Sequence, residues 1–170
     1  MVTGVLGRFF YWQRKSVIQP VTMDDLAALS EIHTACFSRG WSDGEFEALL
    51  AQGNYFCLVA RKPGKVGKPP SAFVLAKTVL DEAEIISVAV KPSARRKGIA
   101  RQLMDAAIRQ LNSDRVKFLF LEVDMTNEVA IHLYRKMGFR EIGNREAYYT
   151  DDQQHRNNRS AALVMRLELG

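Results

Sequence analysis

The fold is decided by residues 88–103, which read VAVKPSARRKGIARQL. The first three of these residues close a β-branched run that starts at Ile85 and is stopped by Pro92, a pattern typical of a buried strand. From Gly98 to Leu111 apolar residues recur every four positions, which predicts an amphipathic helix. A buried strand therefore leads into a helix through a basic turn that contains a glycine.

That turn has the features of a phosphate-binding site. Free N–H groups at the start of a helix and the positive end of its dipole attract anions, and Gly98 and Ala100 leave room for close approach. A solvated charge run at residues 95–97 is the alternative interpretation. Gly98 is followed by Ile99, so the Lys-Ser or Lys-Thr pair of a P-loop is absent, and the first glycine pair of a dinucleotide fingerprint is also missing. We expect a pyrophosphate to bind here.

The rest of the chain alternates strands with helices. Proline, glycine and lysine residues at 62–70 predict a loop between two β-rich runs, and the acidic pair at 81–82 predicts a second turn. The run at 118–123 is apolar enough to be buried on both faces. The order indicates a mixed α/β sheet, with strands at 16–19, 55–60, 72–80, 85–90, 118–123, 139–142 and 161–167 and helices starting near 22, 43, 98 and 127.

Composition narrows the class of protein. The length of 170 residues fits one domain, and two cysteines without CxxC spacing, with three scattered histidines, predict no metal site and a reducing cytoplasm. The apolar stretch at 5–12 is short and interrupted by Arg8, so we expect an extension and not a signal peptide. A net charge of +5 favours anionic partners without choosing among nucleic acid, a ribosome surface or a phosphate-rich cofactor.

Residues 95–100, Arg-x-x-Gly-x-Ala, resemble the Arg/Gln-x-x-Gly-x-Gly/Ala signature of the GNAT acetyltransferases. Further segments resemble the RimI-type ribosomal-protein alanine acetyltransferases: Trp41-Ser42 with Phe46, 84–90, 121–123 with Asn127, 130–134, Gly138-Phe139 and Tyr148-Tyr149. The resemblance implies a GNAT fold over residues 16–170, with an extension at 1–15. That fold is a mixed, mostly antiparallel sheet of about seven strands with a splayed parallel pair and helices on both faces.

The resemblance also implies acetyl-coenzyme A as co-substrate, lying between the splayed strands. The backbone at 88–90 would hold the pantetheine arm, the turn at 95–100 the pyrophosphate, and Arg101 the ribose phosphate. The implied cofactor-binding residues are Val88, Ala89, Val90, Arg95, Arg96, Lys97, Gly98, Ile99, Ala100, Arg101, Asn127 and Tyr134.

Glu122 is the candidate general base. Strand alternation places it on the face shared by Phe118 and Phe120, where burial would raise its pKa and make it a better proton acceptor near neutrality. The alternative is a glutamate near the strand end that pairs with an arginine.

Tyr134 is the candidate general acid. It follows Asn127 by two helical turns, which predicts that both side chains face the same cleft. A phenol of pKa about 10 could protonate a departing thiolate. The alternative is a packed tyrosine that anchors its helix. Cys36 and Cys57 have no nearby histidine in an activating pattern, which disfavours an acyl-cysteine intermediate.

The acceptor is predicted to be a protein N-terminus, and the resemblance implies a ribosomal protein. Deprotonating a lysine at neutral pH costs roughly 3 kcal/mol more than deprotonating an α-amine, so one modest base suits the α-amine. The resemblance places five residues around the peptide cleft, although each could instead be structural: Trp41, Ser42, Phe46, Tyr148 and Tyr149.

We expect a cytoplasmic monomer or weak dimer that needs neither a membrane nor stable nucleic-acid binding. Two alternatives remain open. A GNAT enzyme for a lysine or small amine would have an acidic cleft that attracts a cation. A module that binds acetyl-coenzyme A or RNA without chemistry would have no use for both Glu122 and Tyr134.

Overall fold

A computed structural model describes residues 16–64, 67–145 and 161–170. These residues form one seven-stranded sheet in the order β1-β2-β3-β4-β5-β7-β6. The strands are β1 (Val17–Pro20), β2 (Tyr55–Arg61), β3 (Ala72–Val79), β4 (Glu82–Val90), β5 (Phe118–Asp124), β6 (Arg140–Arg145) and β7 (Ala162–Glu168), and the helices are α1 (Leu26–Cys36), α2 (Asp43–Leu50), α3 (Ile99–Ser113) and α4 (Glu128–Lys136). Only β4 and β5 pair in parallel in this part of the chain. The predicted mixed, mostly antiparallel fold is confirmed.

Helices cover the two faces of the sheet with separate apolar clusters. On the first face, which we call the α3/α4 face, Leu103 and Leu111 of α3 and Ile131 of α4 pack on Leu119 and Leu121 of the sheet. The second, or α1/α2 face, is built from Leu29 and Ile32 of α1, Phe46 of α2, and Phe73 and Leu75 of β3. Each fully buried side chain of this size contributes about 1.5–3 kcal/mol. None of the described helices is long and apolar enough to span a bilayer.

The parallel pair opens partway along its length. β4 and β5 are paired from Glu82↔Phe118 to Ile85↔Leu121. The pairing of β3 with β4 shifts between Leu75 and Ala76, which leaves Ile86 as an extra residue in β4. Such a β-bulge bends its strand and increases the local twist. Beyond it β4 continues with β3 while β5 continues with β7, so a gap opens between the parallel strands. This is the splayed pair that the family resemblance implied.

Three details of the predicted elements are wrong. β6 runs from Arg140 to Arg145 and so ends three residues after the predicted end at 142. β4 begins at Glu82, three residues before the predicted start, and the turn lies at residues 80–81, where Leu80 takes a φ of +55° and is 95% exposed. β5 is not buried on both faces, because Leu121 and Val123 are buried while Glu122 is exposed. No described helix covers that part of the second face, so alternation and not complete burial describes β5.

Candidate active site

The turn between β4 and α3 has the backbone expected of an anion site. A short 3-10 helix, Pro92–Ala94, is followed by two left-handed residues, Arg96 with φ +61° and Gly98 with φ +70°. The first helical bond of α3 runs from the Gln102 N–H to the Gly98 carbonyl at 3.1 Å. The three preceding N–H groups, of residues 99–101, have no acceptor within the helix because nothing precedes them at the required spacing. The turn can therefore receive a phosphate oxygen.

The side chain of Arg95 lies along the open end of β4. Its Nε donates to the Val90 carbonyl at 3.2 Å, and its Nη2 lies 3.5 Å from the Cys36 sulfur. The Cys36 thiol donates to the same carbonyl at 3.3 Å. Arg95 therefore points towards the strand end, and a contact with a phosphate requires it to turn outward. Arg101 is also engaged, since its Nε lies 3.7 Å from Asp105.

Glu122 is the first residue of β5 beyond the last parallel pair, so it lies where the two strands separate. It lines a cavity of about 310 Å³, and the other lining residues include Glu82, Glu84, Phe120 and Arg145. Its side chain is 34% exposed, and its Oε1 lies 2.8 Å from the Nε of Arg145. The predicted burial of Glu122 is wrong, and the alternative of an arginine partner is the one the structure shows. The predicted shared face with Phe120 is confirmed.

Tyr134 lies on the α3/α4 face. It is 8% exposed, and its ring centroid is 5.7 Å from that of Phe139. Burial raises the pKa of the phenol to about 12, so the hydroxyl stays protonated at every physiological pH. Asn127 caps α4, because its side-chain oxygen accepts from the Ala130 N–H at 3.2 Å. That carbonyl is committed to the helix, which leaves the amide NH₂ of Asn127 as the group able to meet a ligand.

The loop between α1 and α2 carries the first predicted acceptor residues. Trp41 is half-buried and stacks on His33 with ring centroids 4.4 Å apart. Ser42 caps α2, accepting from the Glu45 N–H at 3.2 Å. Phe46 has no exposed surface, so the predicted direct contact with substrate is wrong for this residue. It instead packs against Trp41, with ring centroids 5.5 Å apart. Tyr148 and Tyr149 lie outside the described residues.

Several residues of the site were missed at the level of sequence. Glu82 and Glu84 alternate with Ala83 and Ile85, a signal that would have extended β4 and placed both carboxylates on one face. Arg145 gave no such signal, because it meets Glu122 through the pairing of β6 and β5 with β7.

A family model described as the acetyltransferase (GNAT) family matches residues 26–139. A ribosomal protein bS18 alanine N-acetyltransferase of Haemophilus ducreyi is 33% identical over 90% of this chain and 100% of its own length. The crystal structure of the ribosomal-protein-S18-alanine N-acetyltransferase of Escherichia coli has a TM-score of 0.78 and 31% identity, covering 91% of this chain and 94% of that one. Arabidopsis thaliana NAA60 in complex with acetyl-CoA shares the fold, with a TM-score of 0.76 and 21% identity over 91% of this chain and 98% of its own. The chain belongs to the GNAT acetyltransferase family and is an acetyl-CoA-dependent N-acetyltransferase.

Proposed function

We propose that this enzyme acetylates the N-terminal α-amine of a ribosomal protein that begins with alanine. Two of the relatives named above, those of Haemophilus ducreyi and Escherichia coli, are alanine N-acetyltransferases of ribosomal protein bS18 and align over nine tenths of this chain. The observation that carries the proposal is the gap between β4 and β5. The Glu122 carboxylate lies beside this gap on one face of the sheet, and the Tyr134 phenol is buried in the apolar cluster of the other face. Residues 16–170 form the catalytic domain in this proposal, and an acceptor of this kind places the enzyme in the cytoplasm.

The two reactants approach the gap from opposite faces of the sheet. Leu121 and Val123 belong to the α3/α4 face together with Tyr134, whereas Glu122 points away from them by strand alternation. The phosphate turn leads into α3, so the pyrophosphate end of acetyl-CoA belongs to the α3/α4 face. The acceptor amine would enter beside Glu122 through the cavity on the other face. The unpaired edge of β4 at residues 86–90 offers backbone groups to the pantetheine arm between them.

The chain's own residues would move two protons. Glu122, directly or through a water, takes a proton from the α-ammonium group, and the free amine attacks the thioester carbon. The new C–N bond forms as the C–S bond breaks, and the phenol of Tyr134 gives its proton to the departing sulfur. Two protons then remain, one in excess on the amide nitrogen and one on Glu122. One of them restores the phenol of Tyr134, and the other leaves to solvent. No acyl-enzyme intermediate is required.

The ion pair with Arg145 sets a condition on this step. Arg145 is 73% exposed at its side chain, so the pair is open to solvent and its strength is modest. Glu122 can exchange Arg145 for an ammonium group of the acceptor at little cost. The Glu122 side chain thus stays accessible from the cavity, which suits a group that receives a cationic substrate.

A second candidate function has a specific observation in its favour. Three carboxylates line the cavity, on Glu82, Glu84 and Glu122, against the two cations Lys77 and Arg145. An acidic cleft is what an enzyme for a small cationic amine would need. The same three carboxylates would also attract an α-ammonium group, so the measured preference for one acceptor decides between the two candidate functions.

Acetyl transfer to a panel of acceptors tests the proposal. Purified protein is given acetyl-CoA with peptides that begin with alanine, serine or methionine, with lysine peptides blocked at the N-terminus, and with polyamines, and the release of coenzyme A thiol is followed. We expect release with the alanine peptide and none after its N-terminus is blocked. Release with polyamines or blocked lysine peptides alone would establish the second candidate.

Matched variants assign the base. Glu122→Gln should reduce kcat by about 100-fold or more, the size of a general-base contribution. Glu82→Gln removes the same charge from the same cavity but pairs with Phe118 at the far end of the parallel ladder, and it should keep most of the activity. Equal losses in the two variants would show that charge in the cavity matters and that Glu122 is not the base.

A further inference from the structure

We propose that His33 is a positioning residue that fixes the acceptor loop, residues 37–42, by accepting a backbone hydrogen bond, and that acceptor binding weakens when its imidazole is protonated. The inference rests on the proposed function, in which Trp41 and Ser42 of this loop keep their predicted contact with the acceptor. His33 lies in the last turn of α1 and is 4% exposed. Buried polar groups are nearly always hydrogen-bonded, so the contacts of this imidazole indicate its role.

The imidazole is joined to the loop by a hydrogen bond and by stacking. Its Nδ1 accepts from the backbone N–H of Trp41 at 3.1 Å. The indole of Trp41 stacks on it at 4.4 Å with an interplanar angle of 13°, and Phe37 at the start of the loop lies at 4.4 Å. Both ends of the loop therefore contact one ring. Phe46 and Phe73 enclose it from below, at 5.9 Å and 6.4 Å.

Other contacts hold other parts of the loop and leave the Trp41 N–H to this ring. A Cβ at Gly40 would lie 2.2 Å from the Thr34 hydroxyl, so the loop passes directly over α1. The capping box of Ser42 and Glu45 orders the start of α2, with the Ser42 N–H 2.8 Å from the Glu45 carboxylate. Neither contact engages the backbone N–H of Trp41. Of the described hydrogen bonds, that of His33 is the one that does so across eight residues.

Protonation reverses the character of the bond. Because Nδ1 accepts, the neutral ring carries its hydrogen on Nε2. A proton on Nδ1 would face the Trp41 N–H donor to donor, and the loop would lose its attachment. Burial lowers the pKa of His33 below its ordinary value of 6.5, and the charge of Glu45 on α2 opposes this shift.

The surrounding groups keep the ring neutral at pH 7. Arg39 of the loop pairs with Glu45 at 3.6 Å and partly offsets its charge. Phe46 of α2 and Phe73 of β3 carry no charge, and burial raises the pKa of the Cys57 thiol on β2, in the same core cluster, so it stays neutral. The attachment is therefore intact at pH 7 and is lost as pH falls through the lowered pKa of His33, which lies below 6.5.

Two variants separate the hydrogen bond from the stacking. His33→Asn places an amide oxygen near the position of Nδ1 and cannot titrate, whereas His33→Phe keeps an aromatic ring without an acceptor. KM for the alanine peptide and for acetyl-CoA is measured from pH 7.5 down to a pH below the imidazole titration, which NMR locates in the wild type. Values are compared with those of His33→Asn so that titration of the peptide amine cancels. For the wild type we expect the ratio of peptide KM values to rise about fivefold, the size of one lost hydrogen bond. KM for acetyl-CoA should change less than twofold.

His33→Phe should have a raised peptide KM at every pH and no additional rise below pH 6.5. A peptide KM in the wild type that follows His33→Asn at all pH values would overturn the inference.

A measurement on the wild type alone guards against a variant that fails to fold. The Trp41 amide resonance is followed by NMR through the His33 titration without any peptide. Its chemical shift should change with the same midpoint as the imidazole resonances, and the amide should lose protection from hydrogen exchange. An amide unaffected by that titration would also overturn the inference, whereas a shifted amide in a protein that acetylates no peptide would support His33 and contradict the proposed function.

Discussion

Replacing Tyr134 with phenylalanine tests the proposed general acid with little disturbance of the fold. The ring is packed against Phe139 and is 8% exposed, and phenylalanine keeps that packing while removing the hydroxyl. We expect the free energy of unfolding at pH 7 to change by about 1 kcal/mol or less. Loss of a positioned acid should reduce kcat by about 10²–10⁴-fold, which is roughly 3–5 kcal/mol of barrier.

Thiol release at saturating acetyl-CoA and peptide measures the loss of kcat in Tyr134→Phe, and binding of acetyl-CoA by calorimetry shows whether the site is intact. A variant that binds acetyl-CoA normally and keeps more than one third of the wild-type kcat would refute the assignment.

The pH dependence of stability offers an independent check. Burial raises the pKa of Tyr134 from 10.0 to about 12, so above pH 10 the unfolded chain loses a proton that the folded chain keeps. Stability that is fully present below pH 10 is therefore lost as pH rises towards 12. The difference in stability between Tyr134→Phe and the wild type should therefore move by about 1 kcal/mol in favour of the variant between pH 7 and pH 11.

Two further changes test the phosphate turn and the core. Gly98→Val puts a branched side chain at φ +70° and should raise KM for acetyl-CoA about tenfold, whereas Gly98→Asn should raise it less; equal KM values would contradict the anion-site assignment. Burial alone would raise the pKa of Asp25, but hydrogen bonds from Thr22 and Arg61 outweigh it and hold the pKa below 3.8. Asp25→Asn should therefore cost roughly 3 kcal/mol in denaturant unfolding at pH 7, with the difference shrinking below pH 3.8, and an unchanged midpoint at pH 7 would argue against the pair.

Periodicity was sufficient for the elements that bury a continuous stripe. The apolar positions of α3 from Ile99 to Leu111 are all on its buried side, and the helix begins within one residue of the predicted start. β4 was predicted less well because its first half alternates glutamate with Ala83 and Ile85 and has few β-branched residues. A half-polar strand has a weaker local signal, and here the polar half lines the candidate acceptor cavity.

The burial of individual site residues could not be predicted, since it depends on what other elements cover. Glu122 is open to solvent because α1 and α2 pack on β2, β3 and the end of β4 and leave its part of the face uncovered. Phe46 shows the opposite error. The family resemblance gave its position near the acceptor loop, and the structure encloses it completely between His33, Trp41 and Phe73.

The bulge at Ile86 accounts for the gap that the proposed mechanism uses. Ile85 packs in the cluster of the α3/α4 face and Ile86 against that of the α1/α2 face, as alternation requires. Continued alternation would send Val88 to the α1/α2 face, but Val88 and Val90 pack towards α3 and α4, while Ala89 joins the other face. The extra residue has therefore shifted the alternation by one position at the point where pairing with β5 ends. A regular strand would continue the ladder past Leu121 and close the gap beside Glu122, so the irregularity in β4 is what makes room for the proposed acetyl transfer.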